Sequence, residues 1–260
     1  MNHSLSIWIH YDKLNFIQLN TDFSKASSQL LEKHINDLDI DVALLQDIYC
    51  EKFGLSQKYK PPDFIGYDVI YLKDSKMPKV ALYVKSKLNA TFLPQASDLH
   101  CITCILHLEN SDFIVLSSIY SPPPDLSPVK RTDVLFEHLS TLQIQRLILC
   151  GDFNSHSSLW SNQSKNDRKG DELEILLLQY DLTVLNDISS PPTFENTRGG
   201  SSWIDISTAG CKIADKISDW QVRNDESLSF HKIITFSISL KPKTDNKLRY
   251  NFAKKLTGNF

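Results

Sequence analysis

The residues best suited to chemistry follow an apolar run in the middle of the chain. Residues 147–150 are apolar, and Gly151-Asp152-Phe153-Asn154 comes directly after them, which predicts a buried strand with a polar exit. In an extended segment, residues two apart project from one face, so Asp152 and Asn154 would point together beyond the strand. A carboxylate there can activate a water or bind a hard metal ion, and an amide can hold a phosphate oxygen. A simple turn is the alternative, because Gly, Asp and Asn all favour turns.

Polar residues also end other predicted strands. Residues 15–19 predict a strand ending at Asn20, a helix follows over about 24–38, and a second apolar run ends at Asp47. Strand, helix, strand is typical of an α/β opening, in which ligands lie beyond the strand ends. Asn20 and Asp47 would then share one crevice, whereas the alternative makes them two surface loop residues. Prolines after a further strand place Tyr120 at its exit.

The last third of the chain adds an acid and a histidine. Residues 201–207 predict a strand in which Asp205 lies between two isoleucines. An acid in an apolar strand is costly unless it has a partner. His231 comes just before the final predicted strand, 233–240. Asp205 and His231 could therefore form a catalytic pair or only a structural one.

Composition limits the classes of protein to consider. With 260 residues, of which 41% are apolar, the chain can form one large domain or two small ones. The net charge of −3 gives no overall sign of nucleic-acid affinity, although local basic patches matter more than the sum. We see no signal peptide and no apolar run of membrane-spanning length, so we expect an intracellular protein without a membrane partner.

Five cysteines are scattered along the chain, and two of them form a CxxC pair, Cys101 and Cys104. A zinc site usually requires a second such pair at suitable spacing. This pair lies in an alternating, strand-like run, which places the two thiols on opposite faces. We therefore favour packing over metal binding, and reduced thiols fit an intracellular compartment.

Hairpins and helices fill the remainder of the chain. The pattern predicts hairpins over 67–84 and 101–119, and helices over 128–139 and 170–179. Hairpin groups that are each broken by a helix predict an α/β (α+β) fold with two β-sheets packed face to face and helices outside. We place the domain at 15–240, after an N-terminal lead over 1–14. The basic, polar segment 241–260 is interpreted as a linker or tail.

The polar strand ends, taken in order, resemble those of the endonuclease/exonuclease/phosphatase superfamily, which includes apurinic endonucleases, DNase I-like nucleases and inositol polyphosphate phosphatases. The resemblance covers roughly Phe16 to Leu240 and is most detailed for the apurinic-type endonuclease domain of non-LTR (LINE-like) retrotransposons. The matching stretches are 15–20, 24–26, 41–49, 151–156, 159–160, 192–194 and 202–205. Residues 249–252 resemble the segment that leads toward a reverse transcriptase region. The fold implied is a DNase I-like, four-layered α/β sandwich with two mixed sheets.

The resemblance implies metal-dependent hydrolysis of a phosphodiester, with double-stranded DNA nicked to expose a 3′-hydroxyl. Asp152, steadied by Asn154, would activate the water, and His231 would stabilise a phosphate oxygen or help to deprotonate the nucleophile. Asp205 would hold the imidazole in one tautomer. The other implied roles are hydrogen bonds to the phosphate from Asn20 and Tyr120, Mg²⁺ or Mn²⁺ binding by Asp47, and DNA-backbone contacts by Lys165, Arg168 and Lys169. We expect the seven site residues outside the basic loop to meet around one divalent ion, and the protein to act in the nucleus.

Two positions depart from the family pattern. Asp47 stands where the family normally has Glu, and Phe230 stands where its Ser-Asp-His motif has Asp. Both changes would weaken metal binding, and metal and charge placement supply most of phosphoryl-transfer catalysis. Two alternatives to a DNA endonuclease therefore stay open. One is a retrotransposon-derived remnant that binds DNA or protein without cutting, and the other is a phosphatase of small phosphoesters on the same fold.

Overall fold

The computed structural model describes residues 11–53, 58–73, 77–123, 127 and 129–241. Most of the expected N-terminal lead, the tail beyond residue 241, the 249–252 segment and Pro128 lie outside the described residues. The domain bounds 15–240 therefore stay a prediction.

The described part of the chain forms sixteen strands and four α-helices. The strands are β1 (Lys13–Asn20), β2 (Val42–Gln46), β3 (Glu51–Phe53), β4 (Lys58–Lys60), β5 (Tyr67–Ile70), β6 (Val80–Lys85), β7 (Asn89–Phe92), β8 (Cys101–His107), β9 (Phe113–Tyr120), β10 (Leu147–Asp152), β11 (Leu182–Val184), β12 (Phe194–Glu195), β13 (Ser201–Ser202), β14 (Asp205–Gly210), β15 (Ile217–Val222) and β16 (Ile234–Ser239). The helices are α1 (Lys25–Asp37), α2 (Val129–His138), α3 (Thr141–Ile144) and α4 (Arg168–Gln179).

Two six-stranded sheets form the centre of the molecule, and each is mixed. Their strand orders are β15-β16-β1-β2-β6-β5 and β11-β14-β10-β9-β8-β7. In the first sheet β1 and β2 run parallel, and in the second β9 and β10 do, while the other neighbours are antiparallel. The carboxyl ends of both parallel pairs carry the polar residues singled out above. This arrangement lets four strand ends present side chains to one region.

The sheets pack face to face through an apolar core, and helices cover their outer faces. Phe16 and Phe236 stack within this core with ring centroids 4.9 Å apart. On the outside of the first sheet, α1 buries Leu31 and Ile35 against the strands. On the outside of the second sheet, α2 and α4 bury a further apolar cluster that includes Leu173. The predicted four-layered α/β sandwich is confirmed.

A polar layer lies between the sheets beneath the strand ends. Gln18 donates through Nε2 to the carbonyl of Gly151 at 3.2 Å and accepts from Ser207 at 2.8 Å. Gln46 likewise donates to the Ser118 hydroxyl at 2.9 Å. Each glutamine belongs to one sheet and each of its partners to the other. Because these groups are fully buried, their hydrogen bonds fix how the two sheets align.

The structure corrects the predicted strand over 201–207. The chain forms β13 and then leaves the ladder before β14 begins at Asp205. The reason is a competing acceptor, since the Thr193 hydroxyl takes the backbone N–H groups of Ile204 and Asp205, both at 3.1 Å. The Trp203 indole also donates to the Ser190 carbonyl at 2.9 Å. Side-chain acceptors thus replace strand pairing at this point.

Residues 165–169, which include the basic residues expected to contact DNA, were expected to form a loop but are partly helical. Helix α4 begins at Arg168, two residues before the predicted start, because Asp167 caps it by accepting from Gly170 N at 2.7 Å. Gly170 also permits close contact with the preceding loop, since a Cβ at this position would lie 1.9 Å from the His156 carbonyl oxygen.

Two further expectations concern the cysteines and the membrane. Cys101 packs among helix-side residues and Cys104 packs between the sheets, so the CxxC pair lies on opposite faces as predicted. All five cysteines are free. Among the described helices, none is long and apolar enough to cross a membrane.

Candidate active site

The two sheets meet at a hydrogen bond between Asn20 and Asp152, the last residues of β1 and β10. The Asn20 amide donates to Oδ2 of Asp152 at 2.9 Å, and each residue is only 2% exposed. Gly151 allows β10 to run close beside β9, because a Cβ there would lie 2.3 Å from the Ile119 carbonyl oxygen. Buried packing below the strand end therefore fixes the position of this carboxylate.

Asn154 supports Asp152 in a way that differs from the expectation. The chain turns after β10, and Asn154 has a φ of +47°, which asparagine tolerates better than most residues. Its backbone N–H donates to Oδ1 of Asp152 at 3.1 Å, while its side-chain amide donates to the Ser121 carbonyl at 3.0 Å. The two side chains therefore do not project together from an extended strand. Asn154 holds the Asp152 carboxylate through its backbone.

His231 lies between two buried carboxylates. Its Nδ1 atom is 3.0 Å and 2.9 Å from the two oxygens of Asp205, and its Nε2 atom is 3.9 Å from Oδ2 of Asp152. Burial alone would lower the pKa of His231, but the charge and hydrogen bond of Asp205, helped by Asp152, raise it above its ordinary value. Burial raises the pKa of Asp152, and the histidine charge opposes that change. Asp205 thus has the partner that a buried acid requires.

Three short polar side chains hold this group in place, and the sequence analysis did not assign them. Thr193 accepts from the backbone of Asp205, and Asn186 donates to the Asp205 carbonyl at 2.9 Å. The Ser229 hydroxyl donates to the Asn20 carbonyl at 2.8 Å and accepts from His231 N at 3.1 Å. Thr193 lies in the family-like stretch 192–194, and Ser229 begins the segment that matches the Ser-Asp-His motif. A hydroxyl side chain beside a turn was the feature of the sequence that could have identified each of them.

Asp47 and Tyr120 form a second group at the ends of β2 and β9. Burial raises the pKa of Asp47 to about 6, and the nearby Tyr120 hydroxyl and the charge of Lys79 oppose that rise. The pKa of Tyr120 is raised mainly by burial and by Asp47, with a smaller contribution from the charge of Asp152. The group formed by Asp47 and Tyr120 therefore lies close enough to Asp152 for the two parts of the site to interact electrostatically.

One atom of this second group indicates where a metal ion fits. Oδ1 of Asp47 is buried and has no hydrogen-bond partner among the described residues. Asp152, Asp205 and His231 also offer ligand atoms within 4.8 Å of one another. We favour Asp47, because Asp205 already holds the histidine Nδ1. A carboxylate oxygen without a hydrogen-bond partner suits Mg²⁺ or Mn²⁺, so the donors present fit a divalent ion.

The basic residues expected at the DNA backbone lie around the start of α4. Lys165 is exposed in the loop before the helix. Arg168 pairs with Glu172 at 3.0 Å, and the Lys169 ammonium donates to the Pro123 carbonyl at 2.9 Å. Lys169 thereby ties α4 to the segment that follows Tyr120. A contact between these residues and DNA stays a prediction.

Comparison with known proteins agrees with this fold. Residues 114–235 match a protein-family model described as Endonuclease-reverse transcriptase. The endonuclease domain of TRAS1, a telomere-specific non-LTR retrotransposon, superposes with a TM-score of 0.76 at 24% identity, over 88% of this chain and 100% of that one. The AP endonuclease LMAP from Leishmania major gives a TM-score of 0.65 at 14% identity, over 89% of each chain. The 3′ phosphatase NExo from Neisseria, bound to a product DNA hairpin, gives 0.60 at 17% identity, over 87% of this chain and 99% of that one.

The search of curated proteins found no match. The described chain therefore has the α/β-sandwich fold of these structures, and residues 114–235 carry the family match. The resemblance to retrotransposon endonuclease domains that was inferred from the sequence is confirmed.

Proposed function

We propose that this protein is a metal-dependent phosphodiesterase that nicks double-stranded DNA. The observation that carries the proposal is the position of the Asp152 carboxylate. Asn20 and the Asn154 backbone hold it, and it lies 3.9 Å from Nε2 of His231. That gap is longer than a hydrogen bond, and a water or a phosphate oxygen beside it can contact both groups at once.

In the proposed reaction, Asp152 orients the attacking water and accepts its proton. The oxygen of the water forms a bond to phosphorus, and the bond from phosphorus to the 3′ oxygen breaks. The leaving 3′ oxygen takes a proton from solvent water, and Asp152 afterwards returns the proton it accepted to solvent. The products are a 3′-hydroxyl and a 5′-phosphate. Because burial raises the pKa of Asp152, this carboxylate is a stronger base than an exposed aspartate. The two hydrogen bonds to its oxygens limit its rotation and so fix the direction of attack.

His231 contributes through the nitrogen that faces Asp152. Asp205 binds Nδ1 and so holds the proton there, which leaves Nε2 directed toward the reacting phosphate. A protonated imidazole would donate to a non-bridging phosphate oxygen, whose negative charge grows during attack. Asn20 donates one amide hydrogen to Asp152, and its second amide hydrogen would be donated to the phosphate. The Tyr120 hydroxyl, which lies near Asp47, would donate a further hydrogen bond to the phosphate.

Asp47 would hold Mg²⁺ or Mn²⁺, which would neutralise charge on the phosphate. Contacts along the DNA backbone are assigned to Lys165, Arg168 and Lys169, which would supply a salt-dependent part of the affinity. The similarity to a retrotransposon endonuclease domain supports double-stranded DNA as the substrate, and a reverse transcriptase region as the neighbour in a longer relative. A DNA substrate favours action in the nucleus.

A plasmid nicking assay tests the proposal. Supercoiled plasmid is incubated with Mg²⁺ and the wild-type protein, Asp152→Ala, or Asp68→Ala as a control. Asp68 is an exposed acid on edge strand β5 and lies in the other sheet. We expect the wild type and the control to produce open circles whose nicks a DNA polymerase can extend, and Asp152→Ala to produce none. Equal nicking by all three proteins would disprove the proposal.

A non-cutting remnant is the second candidate, because Asp47 and Phe230 both depart from the residues typical of active relatives. This candidate predicts DNA binding in a gel-shift assay together with no nicking by the wild type. The same two measurements therefore separate the two functions.

A further inference from the structure

A lysine lies beside the carboxylate oxygen that is best placed to bind a metal ion. The Lys79 ammonium is 3.8 Å from Oδ1 of Asp47, which is too far for a hydrogen bond but close enough for strong attraction. The pairing of β2 with β6 explains this proximity, because Gln46 lies opposite Val80 where the register ends, and Asp47 directly follows Gln46 while Lys79 directly precedes Val80. The ammonium therefore reaches Asp47 from the residue that precedes the adjacent strand, β6.

An aromatic ring keeps the lysine in this position. The Lys79 ammonium lies 3.9 Å from the ring centroid of Phe23, within the range of a cation–π contact. Phe23 is itself anchored to the same site, since its backbone N–H donates to the Asp47 carbonyl at 2.7 Å. The side chain of Lys79 is only 26% exposed. The ammonium thus lies close to both a ring face and a carboxylate oxygen.

We propose that Lys79 is a built-in cation that competes with the divalent ion for Asp47 and so sets the metal affinity of the site. This inference rests on the proposed role of Asp47 as the metal ligand. An ammonium and a divalent ion cannot both lie within about 4 Å of one carboxylate oxygen without strong repulsion. Metal binding must therefore displace Lys79 from Asp47. The site then requires a higher metal concentration than a lone carboxylate would.

The pairing also explains how this acid tolerates burial without a metal. Asp47 is 6% exposed, and an isolated charge at such a place is costly. Lys79 supplies a compensating charge when no ion is bound. The lysine thus favours the metal-free state, and metal binding becomes an exchange of one cation for another.

The experiment measures Mn²⁺ affinity directly by titration calorimetry, without DNA. The test variant is Lys79→Met, and the matched control is Lys87→Met. Lys79 and Lys87 flank the same strand, β6, and Lys87 also lies over a ring, 5.1 Å from the centroid of Tyr11. Each substitution removes one positive charge and one cation–π contact, but only Lys79 lies near Asp47. Lys79→Arg retains the charge as a second control.

We expect Lys79→Met to lower the Kd for Mn²⁺ on the order of tenfold, whereas Lys87→Met and Lys79→Arg stay within about twofold of the wild type. Asp47→Asn should remove the binding in both the wild-type and the Lys79→Met background. Equal affinities of the wild type and Lys79→Met would overturn the inference, as would equal gains from both lysine variants, or no Mn²⁺ binding by any of them. Thermal melting without metal checks that every variant is folded.

These outcomes are distinct from failure of the proposed function. If Lys79→Met binds Mn²⁺ more tightly as expected but neither this variant nor the wild type nicks plasmid, the metal inference holds and the nuclease proposal fails. If the wild type nicks plasmid and Asp152→Ala does not, while Lys79→Met leaves the Mn²⁺ affinity unchanged, the nuclease proposal holds and Lys79 has no part in metal binding.

Discussion

The Nε2 atom of His231 lies 3.9 Å from Oδ2 of Asp152, although Asp152 ends β10 of one sheet and His231 precedes β16 of the other. This distance is short enough for both groups to contact the same oxygen atom of a water or a phosphate. Asp205 fixes the far side of the imidazole, and Asn20 fixes the near carboxylate. Each reactive group therefore has its orientation set by a partner that is itself buried. Such preorganisation is what a hydrolytic site requires.

The Asp205 carboxylate can be tested with an isosteric change. Asp205→Asn removes the charge that stabilises a protonated His231, and its amide can turn an N–H toward Nδ1 and so favour the wrong tautomer. We expect kcat for nicking to fall on the order of 10²-fold, with little change in KM. Nitrogen NMR of the imidazole should show that the proton, which lies on Nδ1 in the wild type, lies on Nε2 in the variant. A rate within about threefold of the wild type would contradict this role.

Thr193 offers a test of a positioning residue. Thr193→Val would leave the buried N–H groups of Ile204 and Asp205 without their acceptor. We expect the free energy of unfolding to fall by about 2 kcal/mol or more, and the nicking rate to fall as Asp205 loses its position. Thr193→Ser retains the hydroxyl and should recover most of the rate. Equal losses of rate in the two variants would assign the effect to packing alone. Urea denaturation and plasmid nicking supply the two measurements.

Local sequence pattern was sufficient to locate the ends of the central strands. Asn20, Asp47, Tyr120 and Asp152 each follow an apolar run, and the exits of parallel strands lie at one edge of a sheet. The pattern could not show the division of the predicted 201–207 strand. That division depends on a hydroxyl at position 193, which reaches the strand only after the chain has folded.

The contact of Lys79 with Asp47 could not be predicted from the sequence either. The two residues are thirty-two positions apart by their numbers, and the register of β2 with β6 brings them together. A register shift of one residue would turn the lysine to the other face. Likewise, the approach of His231 to Asp152 depends on the alignment of two sheets, which the buried glutamines fix. Contacts between distant strands therefore decide the parts of the site that the sequence left open.

Asp167 gives a prediction for the pH dependence of stability. Burial alone would raise its pKa, but hydrogen bonds from Gly170 N and from His156 lower it below the ordinary value. A carboxyl whose pKa is lowered by folding stabilises the native state above its unfolded pKa of about 4, and this contribution is lost as the pH falls through the lower folded value. Asp167→Asn keeps a cap but cannot titrate. The wild type should therefore exceed this variant in stability at pH 6, and the difference should shrink below about pH 4.

Urea denaturation between pH 3 and pH 7 measures that difference. Asp167→Ala removes the cap as well and should cost about 1 kcal/mol at neutral pH. A difference between the wild type and Asp167→Asn that grows toward low pH would show that the sign is wrong.

Phe230 permits a gain-of-function test at a position that departs from the family pattern. Its side chain is 41% exposed and packs edge-on against Phe194, with centroids 6.2 Å apart, directly before His231 in the chain. Because the side chain is largely at the surface, Phe230→Asp should fold, at a cost of about 1 kcal/mol for the lost aromatic contact. It adds a carboxylate beside the site, which should favour divalent cations. We expect nicking at limiting Mg²⁺ to rise severalfold.

The matched control for this change is Leu228→Asp. Leu228 is exposed in the same loop, and its φ of +52° suits aspartate better than leucine. The Ser227 and Ser229 hydroxyls hold the loop through hydrogen bonds that neither substitution removes. Both variants add one negative charge, but only residue 230 adjoins the histidine. If both variants raise nicking equally, the effect reflects general attraction of Mg²⁺ to added charge. If neither raises it, the phenylalanine is not what limits the site.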